Sequence, residues 1–173
     1  MWFQMRKESL GFADRAPLIH VNEATVAAPR VRVFAAFTEP RDWRLWFPNV
    51  RDASYTSAPP HGVGTIRHAH VGRTHWVEEI IAWDEGTRWA WTVVRASVPF
   101  AKAQVESFEF ADAGEGTRVR WTLALDPRLL TRLGAPFSGR VIRRLFGRAT
   151  QNLSAHLEPA PRPVISTAAY RGA

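Results

Sequence analysis

Residues Leu18–Val26 suit a β-strand, and Ala28-Pro29 ends it, because proline lacks an amide donor and fixes its own φ. Proline fits a first helical turn, and Val31, Phe34, Ala35 and Phe37 recur at helical spacing up to a break at Thr38-Glu39-Pro40. A second, short aromatic helix follows over residues 42–47 and stops at Pro48. Six strand-like runs come next, at 53–57, 64–71, 74–83, 88–97, 102–110 and 118–125. Between them lie Pro59-Pro60-His61-Gly62, Gly72-Arg73, residues 84–87, Pro99 and residues 113–116, all rich in the residues that chain reversals need. Connections this short imply antiparallel hairpins, since parallel strands need a helical crossover. Beyond Gly134-Ala135-Pro136, apolar residues return every third or fourth position: Phe137, Val141, Ile142, Leu145, Phe146, Ala149, Leu153 and Leu157. That stripe predicts one long amphipathic helix.

Length and composition narrow the class. The chain has 173 residues, and roughly 100 to 200 is the size of a single domain. The reading is a domain over residues 18–158, an N-terminal extension over 1–17 and a flexible tail over 159–173 rich in proline and small residues. With no cysteine, a thiol nucleophile, a thiolate metal site and a disulfide scaffold are excluded. No stretch has the length of apolar residues a membrane span needs, and no apolar run follows the first basic residues, so a soluble, cytoplasmic protein is expected.

The formal net charge of +7 invites a nucleic-acid reading. Its distribution argues otherwise: residues 118–173 hold 10 Arg against Asp126 and Glu158, while the earlier residues are nearly neutral. The excess therefore belongs to the last strand, the long helix and the tail. On that helix Arg140, Arg143, Arg144 and Arg148 form a polar face with no acid among them. Nucleic acid is not an expected partner, because the sequence offers no helix-turn-helix pair and the helix commits its apolar side to the sheet. An anionic membrane surface is the partner this face would suit.

The order of strand, two short helices, six-strand meander and long C-terminal helix resembles the helix-grip arrangement of the SRPBCC or START-like superfamily, in particular its polyketide cyclase/dehydrase branch. The resemblance rests on Ala28-Pro29 with Val31 and Phe34, and on Asp42-Trp43 followed by Trp46-Phe47-Pro48. It rests equally on Gly62-Val63-Gly64-Thr65, on Glu79 followed by Trp83-Asp84 and Arg88-Trp89, and on Gly116-Thr117-Arg118-Val119. It implies an α+β fold in which a curved antiparallel sheet of about seven strands wraps round the C-terminal helix and leaves a hydrophobic ligand cavity. It implies no cofactor and no metal, and does not separate two uses of the cavity. One is polyketide cyclase/dehydrase-like chemistry on a small hydrophobic or aromatic ligand. The other is non-enzymatic carriage of a lipid or quinone by a protein docked on anionic membranes. A monomer or a homodimer suits either.

By the same resemblance Trp83, Trp89, Trp91, Trp121, Phe108 and Phe110 line the inner face of the sheet, either as core packing or as an aromatic box. Trp43, Trp46 and Phe47 on the short helix edge the cavity mouth or staple that helix to the sheet, and Leu145 reaches the ligand from the long helix. Which face of the first hairpin is inside follows from its turn. With Gly72-Arg73 as a two-residue type II′ turn, His70 opposes His75, His68 opposes Val77, Arg67 opposes Glu78 and Ile66 opposes Glu79. An Arg67–Glu78 pair is unfavourable if dehydrated, so its face is assigned outward together with Trp76 and Ile80. His68, His70, His75 and Glu79 then point inward. His70 or His75 is expected as an acid or base, with Glu79 orienting it and His68 contacting ligand. The competing readings are ordinary polar strand residues and a metal site. A slip of one residue reverses every assignment.

Overall fold

The computed structural model describes residues 1–133 and 135–158, with side chains throughout except at 130, 133 and 135–137. The expected tail over 159–173 and the side chain of Phe137 lie outside the described residues. In chain order the elements are β1 (Phe3–Gln4), a 3-10 turn (Leu10–Asp14), β2 (Leu18–Val26), α1 (Arg30–Thr38), a 3-10 turn (Pro40–Asp42), α2 (Trp43–Trp46), β3 (Val50–Tyr55), β4 (Ile66–Val71), β5 (Thr74–Asp84), β6 (Arg88–Ala96), β7 (Ala101–Ala113), β8 (Gly116–Pro127), α3 (Leu129–Leu133) and α4 (Ala135–Leu157). Seven strands form one antiparallel sheet in the order β2-β8-β7-β6-β5-β4-β3, and β1 pairs with β6 as an eighth. This is the α+β helix-grip arrangement. The sequence pattern gave no warning of β1, which has only two residues, or of α3.

α4 lays Phe146, Ala149, Leu153 and Leu157 into one buried core with Trp89, Phe108 and Trp121 from the sheet. The contact is direct, with the Trp121 and Phe146 ring centroids 5.3 Å apart. To the same core α1 contributes Val33, Phe34, Ala36 and Phe37, which recur at helical spacing and are all buried, Phe34 against Phe110 and Phe37 against Phe108. Trp43 of α2 donates its indole N–H to the Phe37 carbonyl at 2.7 Å, which fixes the short helix under the longer one. A second, smaller cluster covers the outer face, where Phe12 from the N-terminal turn packs on Ala103, Val105 and Ala124.

Two glycines are required by geometry. Gly72 opens the β4–β5 turn at φ 60, a left-handed conformation that L side chains rarely adopt. At Gly116 a Cβ would lie 2.6 Å from the Val26 carbonyl oxygen, so only glycine lets β8 approach β2 this closely.

The expected hairpin register holds: His70 faces His75, Arg67 faces Glu78 and Ile66 faces Glu79. Its two faces are the reverse of those assigned. Arg67 and Glu78 are buried, Ile80 is fully buried and Trp76 packs against the core. His68 and His75 are exposed, and Glu79 pairs with Lys7 of the N-terminal segment. The outward assignment failed because it priced the ion pair by its own desolvation alone. The guanidinium is instead stacked among indole rings and hydrogen-bonded to the carboxylate, which offsets part of that cost. A bulge in β5 adds a second departure. The β5–β6 register shifts between Ile80 and Ala82: Ile81 keeps the outer side that alternation gives it, whereas Trp83 joins Ile80 on the inner side.

Candidate functional site

Between the concave side of the sheet, α2 and α4 lies a cavity of about 290 Å³. Its volume equals that of roughly ten water molecules at ~30 Å³ each, and it lies near the lower end, ~300 Å³, of small-molecule sites. Trp43 and Phe47 contribute one wall from α2, Trp76, Trp91 and Trp121 the sheet wall, and Ile142 and Leu145 the α4 wall. The remaining apolar lining includes Val50, Val71, Phe100, Leu123 and Leu125.

Four polar side chains interrupt this surface: Arg67, Glu78, Gln104 and Glu106. Each reaches the cavity by the alternation of its strand. On β7, Gln104 and Glu106 stand two positions apart on the face that also carries Phe108 and Phe110. On β4 and β5, Arg67 and Glu78 are direct cross-strand partners. Arg67 Nη1 donates to Glu78 Oε2 at 2.9 Å, with both side chains almost wholly buried. The guanidinium carbon sits 4.2 Å from the Trp43 ring centroid, 5.0 Å from that of Trp91 and 5.4 Å from that of Trp89. Such stacking favours a delocalised cation that has lost its water.

Glu106 is held at both oxygens. Gln104 Nε2 donates to Oε1 at 2.6 Å, and Trp121 Nε1 donates to Oε2 at 2.9 Å. Burial pushes its carboxyl up to about 8, the negative charge of Glu78 adds to the shift, and the two hydrogen bonds with the Arg67 charge oppose it. Glu78 is likewise raised by burial and drawn back down by Arg67, its direct partner. The raised Glu106 carboxyl thus lies beside the Arg67–Glu78 pair, in a cavity otherwise walled by hydrocarbon and indole.

The expected ligand residues divide accordingly. Trp43, Phe47, Trp91, Trp121 and Leu145 line the cavity. Trp46, Trp89, Phe108 and Phe110 are buried in the packed core behind it, and Trp83 is half-buried against that core. Phe108 stacks on Trp121 with ring centroids 5.8 Å apart and planes 4° from parallel, so it supports a cavity wall without reaching the space. His68, His70, His75 and Glu79 lie on the outer face. There His70 and His75 stack at 4.0 Å, and partial desolvation followed by the neighbouring His75 lowers the His70 pKa. No group of three or more residues suited to holding a metal occurs among the described residues.

Gln104 and Glu106 escaped sequence reasoning although the signal was present. Placing Phe108 and Phe110 inward commits Glu106 and Gln104 to the same face by the two-residue period. Arg67 and Glu78 were recognised as partners but placed on the wrong side.

The fold recurs widely among solved structures at low sequence identity. An aromatase/cyclase from a Streptomyces species superimposes with a TM-score of 0.66 at 15% identity, covering 80% of this chain and 92% of that one. A START superfamily protein from Mycobacterium smegmatis gives 0.59 at 14%, covering 81% and 94%. A major latex-like protein from Panax ginseng gives 0.63 at 18%, covering 82% and 97%. In sequence, an uncharacterized protein of Mycobacterium tuberculosis is 27% identical over 123 residues, 70% of this chain and 74% of that protein. The family described as polyketide cyclase / dehydrase and lipid transport matches residues 19–158, which includes every cavity-lining residue. The chain belongs to that polyketide cyclase / dehydrase and lipid transport family.

Proposed function

We propose that the protein encloses a small hydrophobic ring compound in the cavity and promotes loss of water from it, with Glu106 as the proton carrier. The observation that carries this reading is a raised carboxyl group, held by two hydrogen bonds, in the wall of an aromatic cavity. An acid whose pKa lies near the working pH both gives and takes a proton readily. In the proposed step the Glu106 carboxyl protonates a departing hydroxyl as its C–O bond breaks and water leaves. The carboxylate so formed removes a proton from the adjacent carbon, whose bonding pair becomes the new double bond, and Glu106 returns to its starting state. The Streptomyces neighbour is named as an aromatase/cyclase, in accord with such chemistry on this fold.

A β-hydroxytetralone, which becomes a fluorescent naphthol on losing water, is a suitable probe. Glu106→Gln keeps the shape and should bind the probe with similar affinity while slowing its dehydration about 100-fold or more, within the usual range for general acid–base catalysis. His75→Ala, on the outer face, should change neither. Equal turnover by the wild type and Glu106→Gln refutes the chemical step, and no binding at all refutes the cavity reading.

The second use, carriage of a lipid to or from an anionic membrane, is favoured by one surface. Arg140, Arg143, Arg144 and Arg148 are exposed on α4, and Val141 among them is 64% exposed. A groove along this face is bordered by Arg144, Arg148 and Leu145, and Leu145 also lines the cavity. Each arginine is worth about 1 kcal/mol near an anionic leaflet. Co-sedimentation with phosphatidylserine vesicles should weaken with salt and with charge-neutralising substitutions of these arginines. Equal binding to phosphatidylcholine vesicles excludes this use. No described helix is long and apolar enough to cross a membrane.

A further inference from the structure

β6 and β7 pair directly only from Arg88–Glu109 to Thr92–Val105. Beyond that rung the two strands part, and the N-terminal segment lies between them. Phe3 and Gln4 pair with Ala96 and Arg95 of β6, and the Met5 amide donates to the Val94 carbonyl at 3.0 Å. The next amide, that of Arg6, donates to the Lys102 carbonyl of β7 at 2.7 Å, so one extended strand bonds to both neighbours. The Met5 side chain is buried in the main core, and the Glu8 amide donates to Thr92 Oγ1 where the direct rungs begin. The flanking ladders need no such help: Trp76 pairs with Ala96 on one side, and Ala101 with Pro127 on the other. At this end of the sheet the β6–β7 seam is therefore closed by the N-terminal segment and not by the hairpin itself.

The cavity walls lie on both sides of that seam. Trp76 and Trp91 belong to β5 and β6, whereas Gln104 and Leu125 belong to β7 and β8. Phe100, at the hairpin tip, closes on Trp76 with ring centroids 4.9 Å apart. The segment is held unevenly. Phe12 anchors it on Ala103, Val105 and Ala124 of the outer cluster. Nearer the terminus, apart from Met5 and the backbone bonds, it is held by ion pairs of Arg6 with Asp126 and of Lys7 with Glu79, whose cations are more than half exposed. Such pairs contribute little, and salt weakens them. The segment also precedes residues 19–158, so it is an addition to the domain that the family describes. A loosely held tip beyond a firm anchor opens locally and returns at high effective concentration.

We propose that residues 3–6 are a latch on the cavity: their withdrawal takes Met5 out of the core and opens the β6–β7 seam, Phe100 parts from Trp76, and a ligand enters or leaves by this route. This rests on the cavity being the binding site and adds how it is reached.

A disulfide can lock the latch in the full chain, which has no cysteine of its own to interfere. Gln4 and Arg95 are direct antiparallel partners beside the Met5–Val94 hydrogen bond, and the Cα separation of such a pair, ~4.5 Å, is one a disulfide spans. The double variant Gln4→Cys, Arg95→Cys is loaded with N-phenyl-1-naphthylamine, a neutral dye that fluoresces out of water. Its release on dilution is followed by stopped flow, before and after reduction with a phosphine. Release from the oxidised form should be at least about tenfold slower than from the reduced form, because the opening that precedes it is blocked. Met5→Ala, which removes the buried plug and keeps the backbone bonds, should speed release at least about threefold over the wild type. Equal release from the oxidised and reduced forms, or an unchanged rate in Met5→Ala, overturns the latch and leaves the cavity reading in place. Failure of every form to bind the dye overturns both.

Discussion

The state of Glu106 should be visible in the stability of the ligand-free protein. A glutamate in an unfolded chain ionises near 4.5, whereas in the fold this group is pushed up to about 8. Below the unfolded value both states are protonated, and the group gives its full contribution. Between the two values the unfolded chain releases a proton that the fold retains. Stability therefore falls as pH rises, and the loss ends once the folded group itself ionises above about 8. At ~1.36 kcal/mol per pH unit, the decline between pH 5 and pH 8 amounts to roughly 3 to 4 kcal/mol. This is an upper figure, because Glu106 borders the cavity and is not wholly enclosed. Glu106→Gln has no proton to lose, and its amide oxygen can still accept from Trp121. Urea unfolding at intervals from pH 5 to pH 9 should show the variant gaining on the wild type by about 2 to 4 kcal/mol as pH rises to 8. Titrating groups other than Glu78, whose charge is coupled to that of Glu106, act nearly equally on both proteins and cancel in the difference. Parallel pH profiles for the two would refute the claim that this carboxyl is neutral in the fold.

Two further outcomes follow from the packing. Arg67→Met strands the Glu78 carboxylate in the core and should cost about 3 to 5 kcal/mol in chemical denaturation at neutral pH. Arg67→Met with Glu78→Gln should recover much of it, and independent, additive losses would deny the coupling. Gly116→Ala places a methyl group 2.6 Å from the Val26 carbonyl and should destabilise by about 2 kcal/mol or more, whereas an unchanged melting temperature would mean that β2 and β8 separate freely.

The architecture was legible because it is written in periodicity and turns. The two-residue turn at Gly72-Arg73 specified a register that the backbone realises pair for pair. The facing of that hairpin was less legible, because alternation separates two faces without naming the inner one. As an isolated pair, Arg67 and Glu78 belong on a wet surface. What settles the question is tertiary: Trp43, more than twenty positions away in the chain, places its ring against the guanidinium. The inward position of Trp83 has a similar origin, since the bulge at Ile81 breaks the alternation that had grouped it with Glu79. Glu106 is a different case. Strict alternation from Phe108 points to it, and an acidic residue in an apolar strand face is itself a signal, but imidazole is the more familiar proton carrier near neutral pH and the histidines therefore mask it.

The chain contains eight tryptophans, and Trp43, Trp76, Trp91 and Trp121 line the cavity while Trp2, Trp46, Trp83 and Trp89 do not. Titration of nitrogen-15-labelled protein with naphthoquinone, followed through the indole N–H resonances, therefore reads occupancy of the cavity directly. The expected result is a saturable change concentrated in the four lining indoles, with the exposed Trp2 unmoved. Shifts confined to Trp2, or no saturable shift in any indole, would contradict a ligand site in this cavity.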